Sequence, residues 1–190
     1  MPLKCHFCNG NHTCRECPIE ASKAPEFRRQ VGIMFEGWVS TNIKCPNCLG
    51  QLRVLGNHTP SLDLCCDNPT CTHNKFECKS KCLSVSNLPS DIHLPHGSYK
   101  DFVYRLNDGL NLIVVIYGVD RINKTINIRE VRYADNRDLH DANIIEIKKR
   151  ANSNLSSICI KNKDKLMKIN HGSKNLCLKF TDSNLIEQTC

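Results

Sequence analysis

Residues 62–82 read LDLCCDNPTCTHNKFECKSKC. Short strand-like runs at 62–66 and 75–80 flank the turn-forming Cys66-Asp67-Asn68-Pro69-Thr70-Cys71, so two strands joined by a turn are expected. Successive strand side chains point to opposite faces, which sets Glu77 and Lys79 together and turns Phe76 and Cys78 the other way. Asp63 likewise opposes Leu62 and Leu64. Should the two strands be neighbours, Asp63 and Glu77 can hold a hard divalent cation through oxygen, with Lys79 beside it to position water or offset phosphoryl charge. An Asp followed by Glu-x-Lys also arises by chance on solvated strand faces, so the weight of these residues comes from their surroundings.

Immediately upstream, Cys45-Pro46-Asn47-Cys48 forms a second turn, and a strand over residues 51–55 follows it. Cys45, Cys48, Cys66 and Cys71 have the spacing Cys-x2-Cys-x17-Cys-x4-Cys, in which two turns converge from opposite ends of a β segment. Four thiolates close the tetrahedral shell of Zn²⁺ and leave no position for water, so this zinc is expected to be structural. Cys65 or His73 could stand in for Cys66 or Cys71. Cys78, Cys82, Cys159, Cys177 and Cys190 are left as free thiols.

Farther out, Phe27, Val31, Phe35 and Trp38 recur at near-helical spacing behind Pro25, which predicts a helix over 25–39. From Gly97, the positions Tyr99, Phe102, Val103 and Leu106 mark an amphipathic helix, with Ser98 and Asp101 placed as a capping pair. Residues 110–117 are apolar except for Asn111, as in a strand buried on both faces, and 125–133 forms its partner across a turn. Beyond His140 the chain is polar, with weak strand signals at 157–160, 166–169 and 176–180.

At the other end, residues 1–22 are crowded with Cys, His, Asn and Gly and cannot bury enough apolar area to fold without a metal. They read as a separate module ahead of a main domain over 23–190. Cys5, Cys8, His12 and Cys17 can close on Zn²⁺ with the spacing Cys-x2-Cys-x3-His-x4-Cys. Cys14 could replace His12 in a four-cysteine site. The pattern, with Gly10 and Cys17-Pro18, resembles the CCHC zinc knuckle, one residue shorter than usual before the His; that resemblance implies binding of single-stranded nucleic acid.

The whole chain of 190 residues carries 26 Lys and Arg against 19 Asp and Glu, a net charge of +7 that favours contact with phosphates. Fourteen cysteines would suit a disulfide scaffold in a secreted chain, but Met1-Pro2-Leu3-Lys4-Cys5 opens without an apolar signal run. A reducing intracellular compartment, cytoplasm or nucleus, is therefore expected, and with it metal ligation rather than cross-linking. No apolar stretch reaches the ~20 residues that span a bilayer, so no membrane association is expected. The sequons at Asn57, Asn123 and Asn154 are then accidental.

Glu36-Gly37-Trp38-Val39, Cys45-Pro46-Asn47-Cys48, Asp63-x2-Cys66 and Phe76-Glu77-Cys78-Lys79-Ser80-Lys81 follow one another in an order that resembles DpnI-like restriction endonucleases, over roughly residues 25–160. These are PD-(D/E)XK nucleases with zinc built into the catalytic domain. The resemblance implies an α/β fold, a mixed central sheet flanked by helices, with an inserted zinc ribbon. It makes Asp63 and Glu77 Mg²⁺ ligands, Lys79 the catalytic lysine, the Cys78 carbonyl a further ligand and Glu36 a weaker candidate. Leu62 stands where the motif name has Pro, the interval between Asp63 and Glu77 holds a longer zinc turn, and no winged-helix domain is expected, so recognition of methylated adenine is not inherited. The expected activity is Mg²⁺-dependent endonucleolytic hydrolysis of DNA, with RNA or single strands engaged through the knuckle and room for a homodimer. Two structural Zn²⁺ and one catalytic Mg²⁺ are the implied cofactors. The competing readings are a zinc-dependent binder of nucleic acid without chemistry and a zinc-stabilised adaptor for a protein; the two carboxylates argue against a pure binder, because phosphate repels them.

Overall fold

The computed structural model describes residues 24–56, 62–82, 90–120, 125–151, 153–171, 178–180 and 185–187. The knuckle-like set Cys5, Cys8, His12 and Cys17, with Cys14, lies outside them, as do Cys177 and Cys190. The chain opens with α1 (Ala24–Asn42), then β1 (Leu52–Val54), β2 (Leu64–Cys66), β3 (Lys75–Cys82), β4 (Ile92–Ser98) and α2 (Tyr99–Asn107). It continues through β5 (Leu110–Asp120), β6 (Thr125–Ala134), α3 (Asn136–His140), β7 (Ile145–Lys149), β8 (Leu155–Ile160) and β9 (Met167–Ile169), and ends with β10 (Leu178–Phe180) and β11 (Leu185–Glu187). This is a mixed α/β fold dominated by sheet. The main sheet runs β1-β2-β3-β5-β6-β10-β11 with β9 also on β6, and a second sheet runs β4-β8-β7. No helix among the described residues is long and apolar enough to cross a membrane.

The parallel pair β3–β5 sits at the centre, registered from Lys75↔Leu110 to Cys82↔Tyr117. β5 is covered on both sides, which explains why its sequence barely alternates. Its odd positions Ile113, Val115 and Tyr117 meet Val31, Phe35 and Trp38 of α1, while Leu112, Val114 and Ile116 meet Phe102 and Leu106 of α2 with Ile92 and Leu94 of β4. Asn111, the polar exception, is fully buried and satisfied: its Nδ2 donates to the Lys75 and Gly109 carbonyls at 3.0 and 3.2 Å, and its Oδ1 accepts from the Asn136 N–H at 3.1 Å. The Tyr133 hydroxyl lies 3.1 Å from the same Oδ1 and 3.0 Å from Asn47 Oδ1, which ties the cysteine turn to the core. α2 starts where expected, with the Ser98 side chain accepting from the Asp101 N–H, and it is closed by Gly109 at φ 81°.

Three local expectations change. β4 was not anticipated because Pro95 interrupts it, yet among the described residues β4 is the edge of its sheet and pairs only with β8, so the missing N–H costs no ladder bond. β7 is equally unanticipated; it is a half-exposed edge strand with one fully buried residue, Ile145. Asp63 does not lie in a regular strand: Leu62 packs with the β4 and α2 cluster and Leu64 with the α1 cluster, so the two do not share a face. The backbone turns through Asp63 as β2 begins.

Candidate active site

The two convergent turns bring Cys45, Cys48, Cys66 and Cys71 together, their sulfurs all within 4.8 Å of one another, a set that could hold a metal ion such as zinc. The first turn is held by the Leu49 N–H on the Cys45 carbonyl and the Cys45 N–H on the Gly50 carbonyl, each at 2.8 Å. Gly50 is required for space, since a Cβ there would meet Cys66 Sγ at 2.9 Å. The Gly50 N–H also draws the Cys48 thiol down to about 7, towards the thiolate that a cation requires, while burial pushes Cys45 up. Cys65 and His73 do not join the cluster: Cys65 faces Arg53 at 3.6 Å, and His73 Nδ1 lies 3.0 Å from the Thr72 hydroxyl. Among the described residues Cys78, Cys82 and Cys159 form no disulfide, and they are buried, exposed and half-buried respectively.

Beside this cluster β2 pairs with β3 only at Leu64↔Phe76 and Cys65↔Lys75, and the antiparallel register places Asp63 across from Glu77. The Asp63 N–H donates to the Phe76 carbonyl at 3.1 Å, and Asp63 Oδ2 accepts from the Cys78 N–H at 2.8 Å. The carboxylate thus takes a β3 donor that β2, beginning at Leu64, does not pair, which pins it to the edge of β3. Glu77 and Lys79 share a face as their spacing requires, and Lys79 Nζ contacts Glu77 Oε1. Glu77 is 2 % exposed at the side chain and Lys79 25 %, so the lysine reaches solvent past the acid. Lys79 and Glu36 of α1 also line a groove of about 670 Å³, with Arg29, Lys81 and Pro95 on its walls.

His96, on β4, was missed. Its Nε2 lies 3.2 Å from Glu77 Oε1, off the line of a formed hydrogen bond, and its side chain is 2 % exposed. The signal was available, because Ile92, Leu94 and His96 occupy the inward phase of β4; reading the segment as a strand across Pro95 would have put His96 on the buried face.

The charges conflict without a cation. Burial, and then the charge of Glu77, raises Asp63 to about 6. Burial and then Asp63 raise Glu36 to about 7. Burial also pushes Glu77 upward, but His96 and Lys79 outweigh it and hold the carboxyl below its usual range. Burial works against the charge on Lys79 as well, and Glu77 and Asp63 overcome it, so the lysine stays cationic. Glu77 Oε2 is buried and has no hydrogen-bond partner among the described residues. An orphaned carboxylate oxygen, a second carboxylate pinned opposite it and a surplus of negative charge make a donor set that fits a hard divalent cation.

A family model described as DpnI, Dam-replacing family, matches residues 19–169. The chain belongs to that family. It is a restriction-endonuclease-like family, which implies a nuclease with DNA as its substrate class. The match takes in α1, the cysteine cluster, Asp63, Glu77, Lys79 and His96, and begins after the knuckle-like cysteines. A search of curated proteins found no match.

Proposed function

We propose that the chain is a Mg²⁺-dependent endonuclease that hydrolyses DNA phosphodiester bonds at Asp63, Glu77 and Lys79, in a PD-(D/E)XK arrangement, with the four-cysteine cluster holding a structural Zn²⁺. The observation that carries this is that hydrogen bonds to Phe76 and Cys78 hold Asp63 against β3 beside Glu77, whose Oε2 has no hydrogen-bond partner among the described residues, with Lys79 alongside. Asp63 and Glu77 would hold the cation, and the Cys78 carbonyl between Glu77 and Lys79 is the third candidate donor. When bound, Mg²⁺ would supply Lewis-acid polarisation of the phosphoryl group and a more acidic water.

The remaining work falls to the chain's own groups. Lys79, cationic and partly exposed in the groove, stabilises negative charge on the reacting phosphate. Glu36, half-buried and held up at about 7, can take or return a proton near neutral pH from the groove wall. Arg29 and Lys81 supply positive charge along the same groove for the neighbouring phosphates.

The test is incubation of the purified chain with plasmid, single-stranded DNA and RNA in Mg²⁺ or Mn²⁺, with Ca²⁺ in parallel. Cleavage of DNA with Mg²⁺ and binding without efficient cutting in Ca²⁺ are expected. Tight binding with no cleavage of any substrate, modified DNA included, would instead favour a non-catalytic binder.

A further inference from the structure

We propose that His96 is a positioning residue of the cation site, holding the Glu77 carboxylate by Oε1 so that Oε2 faces the cation; this rests on the metal-dependent reading above. Glu77 has three side-chain torsions and sits at a 2 % exposed position, where water cannot fix its orientation. Among the described residues Lys79 and His96 meet it, and both approach Oε1, the histidine at 3.2 Å. The opposite oxygen is buried and has no hydrogen-bond partner among the described residues. Lys79 is a flexible chain that reaches into the groove, whereas His96 is fixed.

Its ring stacks at a tilt on Phe102 of α2, centroids 4.3 Å apart, and Phe102 is completely buried. The backbone is fixed from the other side by the pairing of His96 with Ser156 and by a register shift between His96 and Ser98, the residue that caps α2. A side chain that only filled this space would be better apolar, because His96 Nδ1 is also buried with no hydrogen-bond partner among the described residues, and an unmade buried hydrogen bond costs stability. Retaining an imidazole there is explained by its contact with the acid. Nε2 lies 3.2 Å from Oε1, close enough to hold that oxygen by polar contact, while Oε2 has no hydrogen-bond partner among the described residues. Outer-shell groups that orient a ligating carboxylate commonly change metal affinity by about 10–100-fold when removed.

Mn²⁺ binding to the full, zinc-loaded chain, followed by the EPR signal of free Mn²⁺, tests this without any turnover. The expected order is wild type bound, E77A unbound, H96L weakened about tenfold or more, and H96Q, whose amide nitrogen can occupy the place of Nε2, restored close to wild type. H96F keeps a ring on Phe102 and is read in place of H96L if the leucine variant does not melt cooperatively. Wild-type affinity in H96L or H96F, with binding still lost in E77A, would overturn the role of His96 and leave the metal site standing. Mn²⁺ binding that is absent from the wild type, or untouched by E77A, would overturn both.

Discussion

Asp63→Asn should stabilise the protein when no divalent cation occupies the site. The carboxyl binds its proton more tightly in the folded chain, at about 6, than at its ordinary 3.8. Its contribution to stability therefore falls as pH rises through the window from about 4 to about 6, and above that window the full penalty of a buried, repelled anion is present. A rise of that size corresponds to about 3 kcal/mol at most. Partial solvent access and the attraction of Lys79 reduce what is recovered to roughly 1–2 kcal/mol, or about 2–8 °C in Tm for a chain of this length. Asparagine keeps an oxygen for the Cys78 N–H, so the anchor at 2.8 Å need not be lost. The assay is a thermal melt of zinc-loaded protein in Mg²⁺-free buffer without strong chelator, from pH 4 to 8. D63N should melt above the wild type at pH 7.5 and converge with it near pH 4, and added Mg²⁺ should raise the wild type alone. A D63N variant that melts at or below the wild type across the range would refute the claim that this carboxylate is strained by burial and its neighbours.

Cys45→Ser should abolish stoichiometric zinc at the ribbon and lower Tm by on the order of 10 °C, because a fully buried ligand is lost from a site coupled to folding; metal analysis and a melt decide it. Gly50→Ala should weaken zinc retention without replacing a ligand, through the 2.9 Å contact its Cβ would make with Cys66 Sγ, and a competition with a chromogenic chelator measures this. Tyr133→Phe should cost roughly 1–3 kcal/mol in urea unfolding by leaving Asn47 and Asn111 without the shared hydroxyl. Deleting residues 1–22 should leave the melt nearly unchanged and weaken binding to single-stranded DNA, since this stretch carries its own Cys and His ligand set and little apolar surface with which to join the core.

Patterns with a strict local cause were legible in the sequence. The apolar run through β5, the Ser98 cap and the Cys-x2-Cys spacing each follow from periodicity, a side-chain acceptor or ligand geometry, and each is found where expected. The i, i+2 spacing of Glu77 and Lys79 was equally direct, and the pairing of β2 with β3 supplied the neighbour that the argument about Asp63 required. What stayed hidden depends on contacts distant in sequence. β4 carries a proline that is tolerated only because its outer edge is unpaired, and the meeting of His96 with Glu77 across the packed faces has no local signature. The turn through Asp63 is another such case, since its carboxylate takes over a bond that strand pairing would otherwise make.

The central claim, that Asp63, Glu77 and Lys79 form a nuclease centre, is tested most directly by single-turnover cleavage of plasmid DNA in Mg²⁺ by the wild type and by D63A, E77A and K79A, each verified as folded by circular dichroism. The account predicts that the wild type cleaves, that D63A and E77A lose cleavage at ordinary Mg²⁺ concentration, and that K79A binds DNA nearly as well while its cleavage rate falls about 10²–10³-fold. Undiminished cleavage by all three folded variants, or none by the wild type, would contradict it.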